Sequence, residues 1–304
     1  MALKLGANSI NKLYLGSTAI NKAYLGAGIL SSGGFSPASL FAGGQQGLWL
    51  EVVQSGEFSP ASLFAGGTDG AWFDPSDLST LFQDSGGTTP VTTSGQPVGK
   101  MLDKSGNGNH AVQATSAKRP TYTAGGGLHW LAFDGTDDAM ATAAIDFTDT
   151  DKGSVFAGVR RLDETVRMIF EFSSDANNHA GSSYLVSGKN SIFTGYSAYV
   201  SLNSRQLTGF NDATNPITNV VSATHDISGG LSTIRVDGVA GINGTTNGEA
   251  GNFGNYPLFI GTRAASSLFF NGNLYGLIIP GKMASADEIA STEAYMAEKS
   301  GVTL

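Results

Sequence analysis

The chain contains no cysteine, and this absence excludes two kinds of scaffold. Neither a disulfide framework nor a thiolate metal site forms without thiols, so the fold must depend on packing or on assembly. Charged residues are also scarce, at 14% of the 304 residues, whereas ordinary soluble chains contain about a quarter. The formal net charge of −8 argues against nucleic-acid binding through a basic surface.

Long apolar runs are absent as well. No stretch reaches the ~18 consecutive apolar residues that indicate a membrane-spanning helix. The segment Met1–Ser9 has one lysine and no apolar run, unlike a secretory signal peptide. We therefore expect synthesis in the cytoplasm and no membrane span.

Motifs that indicate catalysis are missing too. The sequence has neither G-x-S-x-G nor a Walker-type loop, and its histidines are not at metal-ligand spacing from one another. Glycoside hydrolysis needs two carboxylates that face each other, and the nearest approach to the glutamate-rich strand motif of concanavalin-like hydrolases, Glu171 to Asp175, does not fit it. We expect a protein that is not an enzyme and requires no cofactor. The four histidines are His110, His129, His179 and His225.

Glycine is abundant instead, at 42 residues, and serine, threonine and asparagine are frequent. Short strands joined by tight glycine and asparagine turns use such a composition, whereas a helical protein does not. The composition therefore predicts an all-β fold, and the many short apolar runs indicate a sandwich or jelly roll.

The N-terminal residues repeat a phrase that is typical of a β-strand. Ile10–Gly16 reads INKLYLG and Ile20–Gly26 reads INKAYLG. Each copy alternates as a strand does, and Gly16-Ser17-Thr18 between them is typical of a turn. A lone hairpin is marginal in water, so we expect residues 1–30 to be a β-hairpin attachment arm that pairs with the main domain, a sister chain or another protein. The residues expected to make the attachment are Ile10, Leu13, Tyr14, Leu15, Ile20, Tyr24 and Leu25.

Residues 31–70 contain a stricter duplication. The sequence FSPASLFAGG occurs at Phe35–Gly44 and again at Phe58–Gly67, and each copy is followed by x-x-G-x-W. Pro37 and Pro60 suit the first position of a single helical turn. Two interpretations stay open: a recent duplication of a linker, or two equivalent docking segments that meet similar surfaces.

Residues 71–280 have the pattern of one all-β domain. Short apolar runs alternate with turn signals, and an Asp-Gly pair after an alternating run, as at Asp237-Gly238, is a strong hairpin cue. The predicted strands include Leu131–Phe133, Val155–Val159, Met168–Phe172, Ser191–Phe193, Asn219–Thr224, Ser232–Val236, Leu258–Ile260 and Gly272–Ile279.

The hydrophobic period changes in the last segment, residues 281–304. Ser285 and Glu288 are spaced as a capping box, and Gly301 is placed to end a helix. We expect a helix over about residues 286–299 that packs on the sandwich surface.

Several motifs in this domain carry a resemblance to a known family. WFDPSD begins at Trp72, LDKSGNGNHA at Leu102, RPTY at Arg119 and LAFDGTDD at Leu131. In this order they resemble the laminin G-like, concanavalin A-like jelly-roll domains over residues 72–280. The turn motifs are moderately specific together and weak apart. Together with the N-terminal YLGSTAINKAYLG phrase and the C-terminal helix, the chain looks like bacteriophage virion proteins that carry such a domain.

The resemblance implies a component of the virion surface, on the head or the tail, such as a fibre or a decoration protein. Its partners would be capsid or tail proteins, held through the N-terminal arm, and we expect a homo-oligomer. The lectin-like domain would face host surface glycans. Two alternatives remain: a purely structural decoration protein, and a polysaccharide depolymerase.

Two loop regions offer candidate sites. FDGTDD concentrates the carboxylates of Asp134, Asp137 and Asp138, an oxygen cluster of the kind that calcium prefers, although a tight turn also explains Asp134-Gly135. Aromatic rings together with loop amides suit sugar binding. The candidate sugar-binding residues are Tyr196, Tyr199, Asn252 and Tyr256.

Overall fold

The computed structural model describes residues 58–174, 180–201, 205–212 and 214–304, and the backbone of four short strands near the N-terminus. It divides into two compact units, Met1–Gln54 and Ser55–Leu304. Among the described residues, no helix has the length and apolar character needed to cross a bilayer.

The N-terminal unit contains two short antiparallel pairs. Strand β1 (Leu3–Leu5) pairs with β2 (Asn8–Ile10), and β3 (Tyr14–Leu15) pairs with β4 (Thr18–Ala19). Leu15 of β3 pairs with Thr18 of β4, whereas Ile10 pairs with Leu3 and not within the predicted hairpin. Leu13, Ile20, Tyr24 and Leu25 of the predicted arm lie outside the described residues, as does the first FSPASLFAGG copy.

The second unit is a sandwich of two antiparallel sheets, as the sequence predicts. Sheet A has the order β19-β18-β17-β12-β22-β10-β9, with β5 paired to β22 and β20 paired to β18. Its strands are β5 (Gly70–Phe73), β9 (Thr121–Gly125), β10 (Leu128–Asp134), β12 (Lys152–Arg161), β17 (Ile217–Asp226), β18 (Leu231–Val236), β19 (Val239–Ala240), β20 (Gly244–Thr245) and β22 (Asn271–Pro280).

Sheet B has the order β16-β15-β14-β13-β21-β11-β8-β7-β6. The predicted strand Ser191–Phe193 is wrong: these residues form the turn between β14 and β15, where the Asn190 side chain accepts the backbone N–H groups of Ile192 and Phe193. The strands of sheet B are β6 (Leu81–Phe82), β7 (Lys100–Met101), β8 (Ala111–Val112), β11 (Met140–Asp146), β13 (Arg167–Phe172), β14 (Ser182–Ser187), β15 (Tyr196–Ser201), β16 (Arg205–Phe210) and β21 (Asn255–Ile260).

The main core lies between the two sheets. Alternate residues of each strand point into it, because successive side chains of a strand face opposite sides. On β17, Val221 and Ala223 belong to this core, whereas Val220 belongs to a second cluster on the other side of sheet A. Both faces of sheet A are therefore covered, and they are rich in apolar residues.

A single α-helix, α1 (Ala286–Ser300), is present among the described residues, and it covers the outer side of sheet A. Its N-terminus has the predicted capping box, in which Ser285 and Glu288 bond each other's backbone N–H groups, and Gly301 ends it with φ 71°. Its Met296 is fully buried against sheet A. The outer face of sheet B is therefore not covered by α1.

Candidate functional site

The outer face of sheet B carries a row of residues, one from each strand, that lie opposite one another across the whole sheet. Neighbouring strands are about 4.8 Å apart, so the row runs without a gap across the sheet, with Tyr184 and Glu171 buried at its centre. We call it the outer row. From β16 to β6 its members are Leu207, Tyr199, Tyr184, Glu171, Phe259, Ala141, Val112, Lys100 and Phe82.

Strand alternation places this row outside. Leu185, Ala198 and Leu258 belong to the core between the sheets. Their chain neighbours Tyr184 and Tyr199 therefore point to the opposite face, away from sheet A. Phe259, beside Leu258, follows the same rule, and the outer face thus gains three aromatic residues near its centre.

The centre of the outer row is an aromatic pair on a small apolar base. The rings of Tyr184 and Tyr199 lie 5.1 Å apart with an angle of 37° between their planes. Tyr184 is buried together with Met168 and Val186, and Tyr199 and Leu268 pack against them half-buried. This cluster is separate from the core between the sheets, so it stabilises the outer face itself.

Glu171 stands between the tyrosines and Phe259 and is fully buried. The guanidinium Nε of Arg263 approaches its carboxylate at 3.8 Å. Arg263 comes from the loop that connects β21 to β22, and this loop packs along β13 through a hydrogen bond from the Met168 N–H to the Leu268 carbonyl. A charged pair therefore lies beside the aromatic surface.

The same loop holds three non-glycine residues in the left-handed region of φ. Ala264 has φ 46°, Ala265 has φ 54° and Leu268 has φ 51°. Such backbone is costly for residues with a Cβ, and it concentrates where a structure must hold a functional group in place. The surrounding structure holds this costly backbone next to Glu171, which gives a physical reason to treat this face as a functional candidate.

Half-buried aromatic rings beside exposed polar groups have a definite chemical use. A ring face packs against the apolar face of a sugar, and nearby guanidinium and hydroxyl groups form hydrogen bonds with the sugar hydroxyls. The distance across the strands from Tyr199 to Phe259 is about 14 Å, at about 4.8 Å per strand. The outer row is thus long enough for a short oligosaccharide.

The sequence-predicted sugar residues are not brought together. Tyr199 belongs to the outer row, but the prediction is wrong for Tyr196, which is fully buried in the core between the sheets. Its hydroxyl donates to Asn219 Oδ1 at 2.9 Å, and the Arg161 guanidinium lies 5.0 Å from its ring centre. Burial raises the pKa of the Tyr196 hydroxyl.

Asn252 and Tyr256 lie at one end of the sandwich, apart from the outer row. The Asn252 amide donates to the Thr148 carbonyl, and the Tyr256 hydroxyl donates to the Ala180 carbonyl at 2.8 Å. The Tyr256 ring packs 5.5 Å from that of Phe172. Both residues tie neighbouring segments together at this end.

A small cavity lies nearby between the two sheets. Its free space is about 20 Å³, and its lining is almost wholly apolar, with rings from Phe147, Phe172 and Phe253. Such a space holds about one water molecule, so it is too small for a sugar. The buried His225 also lines it, bonded through Nδ1 to Ser232 Oγ at 2.8 Å, and burial lowers the pKa of His225 to about 4.

The three aspartates predicted for calcium do lie together, with ligand atoms within 4.8 Å of one another. Asp134 Oδ1 accepts three backbone N–H groups of its own turn, and Asp138 Oδ2 accepts the Asp134 N–H. Burial, helped by the charge of Asp134, raises the pKa of Asp138 to about 6. The other carboxylate oxygens of Asp134, Asp137 and Asp138 accept none of these backbone bonds. They are hard, negatively charged ligands of the kind that calcium prefers.

The DKSGNGNH motif has a structural role. The Asp103 carboxylate accepts the backbone N–H groups of Trp72, Ser105 and Asn109 at 2.9 Å each. It therefore ties the motif's own turn to β5, as the turn interpretation predicts. The Asn109 amide donates to the Gly70 carbonyl at 2.8 Å, which adds a second link to the same strand.

Comparison with known proteins bears on the fold. No protein-family model matches the chain, and no curated protein matches it. Among solved structures it is similar to domain 4 of AbnA, a GH43 extracellular arabinanase from Geobacillus stearothermophilus in complex with arabinotriose, with 13% identity and a TM-score of 0.51. That match covers 74% of this chain and 98% of the other.

Two further similar structures are arabinofuranosidases. One is in complex with arabinofuranosyl-α-1,2-xylobiose, with 13% identity and a TM-score of 0.57. The other is a mutant GH54 α-L-arabinofuranosidase soaked with 4-nitrophenyl α-L-arabinofuranoside, with 11% identity and a TM-score of 0.55. Each match covers 80% of this chain but 65% of the other. At these identities the likeness establishes the sandwich fold, and glycoside hydrolases are among the proteins that share it.

Proposed function

We propose that the protein is a structural component of a bacteriophage surface whose sandwich binds host surface glycans through the outer row. The observation that carries the glycan part is the pair of half-buried rings on the outer row, Tyr199 and Phe259. The buried Tyr184 and Glu171 lie between them, and Arg263 pairs with Glu171. The arabinanase domain of similar fold, solved with arabinotriose, supports a sugar ligand by analogy of fold. The virion part rests on the sequence resemblance.

Binding without cleavage is favoured by the carboxylates on this face. Hydrolysis needs two carboxyl groups that flank the glycosidic bond. The outer row contains one, Glu171, which is fully buried and paired with Arg263. A depolymerase would release reducing ends from host capsule, and a reducing-end assay on the full chain tests that alternative.

A glycan array tests the binding proposal. The full chain would be applied as wild type, as Tyr199→Ala in the outer row, and as Tyr256→Ala at the end of the sandwich. We expect wild type and Tyr256→Ala to bind the same glycans and Tyr199→Ala to lose them. A blank array for the folded wild type would leave the purely structural decoration role.

The anchoring part has a separate test, because the arm is distant in sequence from the outer row. A chain that lacks residues 1–30 should keep glycan binding and fail to enter particles. Incorporation of the truncated chain at wild-type copy number would contradict anchoring by the arm and leave the glycan proposal untouched.

A further inference from the structure

The second FSPASLFAGG copy occupies a groove formed by sheet A and α1. Residues Pro60–Phe64 form a short 3-10 helix, as predicted for this copy, with Ser59 as its N-cap. Leu63 is fully buried and Phe64 nearly so, in a cluster that includes Ile278 and Met296. The second copy is therefore a docked segment of the sandwich.

The residues that follow the copy continue into the groove as strand β5. Gly70 lies opposite Pro280 of β22 with φ 141°, and a Cβ there would stand 2.1 Å from the Ile279 carbonyl oxygen and 2.8 Å from the Phe64 ring. Only glycine fits at this position. Trp72, two residues later, joins the same buried cluster.

The first copy carries every one of these features. Phe35–Gly44 is identical to Phe58–Gly67, and it continues as QQGLWLE where the second copy continues as TDGAWFD. Gly47 therefore corresponds to Gly70 and Trp49 to Trp72. The chain thus contains two copies of the sequence that fills the groove, 23 residues apart.

We propose that the groove accepts either copy of the same chain, so that the sandwich holds its N-terminal segment in two registers. In the second register Phe35–Glu51 replaces Phe58–Asp74, and residues 52–74 form a surface loop. Closing this loop costs conformational entropy, although the cost grows only slowly with loop length, so the loop and the side chains that differ together decide the exchange.

Those side chains favour the register seen in the structure. Ala71 is fully buried, and the first copy has the larger Leu48 at this place. Phe73 is also fully buried and would be replaced by the smaller Leu50. Overpacking at one site and a void at the next both destabilise a close-packed core.

The next position favours the same register. The Asp74 carboxylate, nearly buried, accepts the Ser76 and Tyr295 hydroxyls and pairs with Lys104 and Lys299. The first copy offers the longer Glu51 there. The second register is therefore a minor state that becomes the major one when the second copy is damaged.

The exchange changes the length of the tether. With the second copy docked, 57 residues precede the groove, and with the first copy docked, 34 do. The difference of 23 residues corresponds to at most about 80 Å of extended chain. The two registers therefore hold the sandwich at two different maximum distances from the partner that binds the N-terminal residues.

Three full-length variants test the exchange by urea unfolding and by amide hydrogen exchange. Leu63→Asp damages the second copy, Leu40→Asp makes the matched change in the first, and the third variant combines both. We expect Leu40→Asp to unfold as wild type does. We expect Leu63→Asp to lower the urea midpoint by less than half the drop in the double variant, because the first copy takes its place. Residues 47–50 should gain amide protection in Leu63→Asp.

Three outcomes would contradict the proposal. If Leu63→Asp and the double variant share one midpoint, or if Leu63→Asp does not fold, the first copy does not enter the groove and the proposal is wrong. If protection of residues 47–50 rises with protein concentration alongside dimers, the first copy of a second chain fills the groove, which also overturns the intrachain exchange. Glycan binding is not a readout here, so the result is independent of the proposed function.

Discussion

Tyr184 and Tyr199 lie directly opposite each other on neighbouring strands of sheet B, with ring centres 5.1 Å apart. Tyr184 is 5% exposed and rests on Met168 and Val186, whereas Tyr199 is half-buried. Packing against Tyr184 keeps the orientation of the Tyr199 ring, so little conformational entropy is lost when a ligand stacks on Tyr199. The exposed part of Tyr199 is therefore held in place before any ligand arrives.

Phe259→Ala should weaken glycan binding by shortening this surface. Phe259 lies on the far side of Glu171 from the tyrosines, and we expect about a ten-fold loss of affinity, as for one aromatic contact of about 1.4 kcal/mol. Longer oligosaccharides should lose more than short ones. Titration calorimetry would measure this, with Ile192→Ala, an exposed turn residue, as the control.

Tyr196→Phe should destabilise the fold and leave glycan binding unchanged. The substitution removes the hydroxyl that donates to Asn219 and leaves a buried acceptor without this donor, at a cost of about 1–2 kcal/mol in unfolding free energy. Urea unfolding would measure it. A loss of glycan affinity at unchanged stability would contradict the placement of Tyr196 in the core.

Asp138→Asn should stabilise the protein at pH 7. The pKa of Asp138 is about 6 in the folded chain, against 3.8 for the free carboxyl. The folded state thus holds this proton more tightly, and the contribution of Asp138 to stability falls as the pH rises from about 4 to 6. Asparagine does not ionise, so the variant avoids this loss of stability. We expect its unfolding free energy to exceed that of wild type by about 1–2 kcal/mol at pH 7. An unchanged urea midpoint would contradict the raised pKa.

We also propose that calcium binds the three aspartates, because their carboxylate oxygens lie within 4.8 Å of one another and are the hard donors that calcium prefers. Millimolar calcium should raise the melting temperature of wild type at pH 7. The variants Asp137→Asn and Asp138→Asn should respond less. Equal responses in wild type and both variants would place the effect elsewhere.

His225 should give the opposite dependence on pH. Its pKa falls from 6.5 to about 4 through burial, so protonation favours the unfolded chain. Its contribution to stability is full above about pH 6.5 and is lost as the pH falls towards 4, by about 3 kcal/mol at most. The slopes of His225 and Asp138 oppose each other between pH 4 and 6. Between pH 4 and 6, stability should therefore rise more steeply with pH in Asp138→Asn than in wild type, and less steeply in His225→Gln.

The turns and the helix α1 are determined by residues close to one another in the sequence. Asp103 and Asp134 bond amides of their own turns, and Ser285 and Gly301 bound α1. Each of these depends on residues a few positions apart, so the sequence pattern predicts them directly.

The outer row could not be predicted in the same way. Tyr184 and Phe259 sit in strands of mixed polarity, SSYLVS and NYPLFI, whose outward faces are set by pairing with distant strands. Glu171 becomes a neighbour of Phe259 only through the β13–β21 register. Tyr196 and Tyr199 are three residues apart in one strand, so alternation already assigns them to opposite faces once the strand is known.

The most direct test of the central claim compares glycan affinities of wild type, Tyr199→Ala and Tyr256→Ala, each as the full chain and each checked for an unchanged unfolding midpoint. We predict that Tyr199→Ala loses at least ten-fold in affinity, as expected for one lost aromatic contact of about 1.4 kcal/mol, while Tyr256→Ala keeps the wild-type value. Binding that survives Tyr199→Ala and fails in Tyr256→Ala would place the glycan at the end of the sandwich and contradict the outer row as its site.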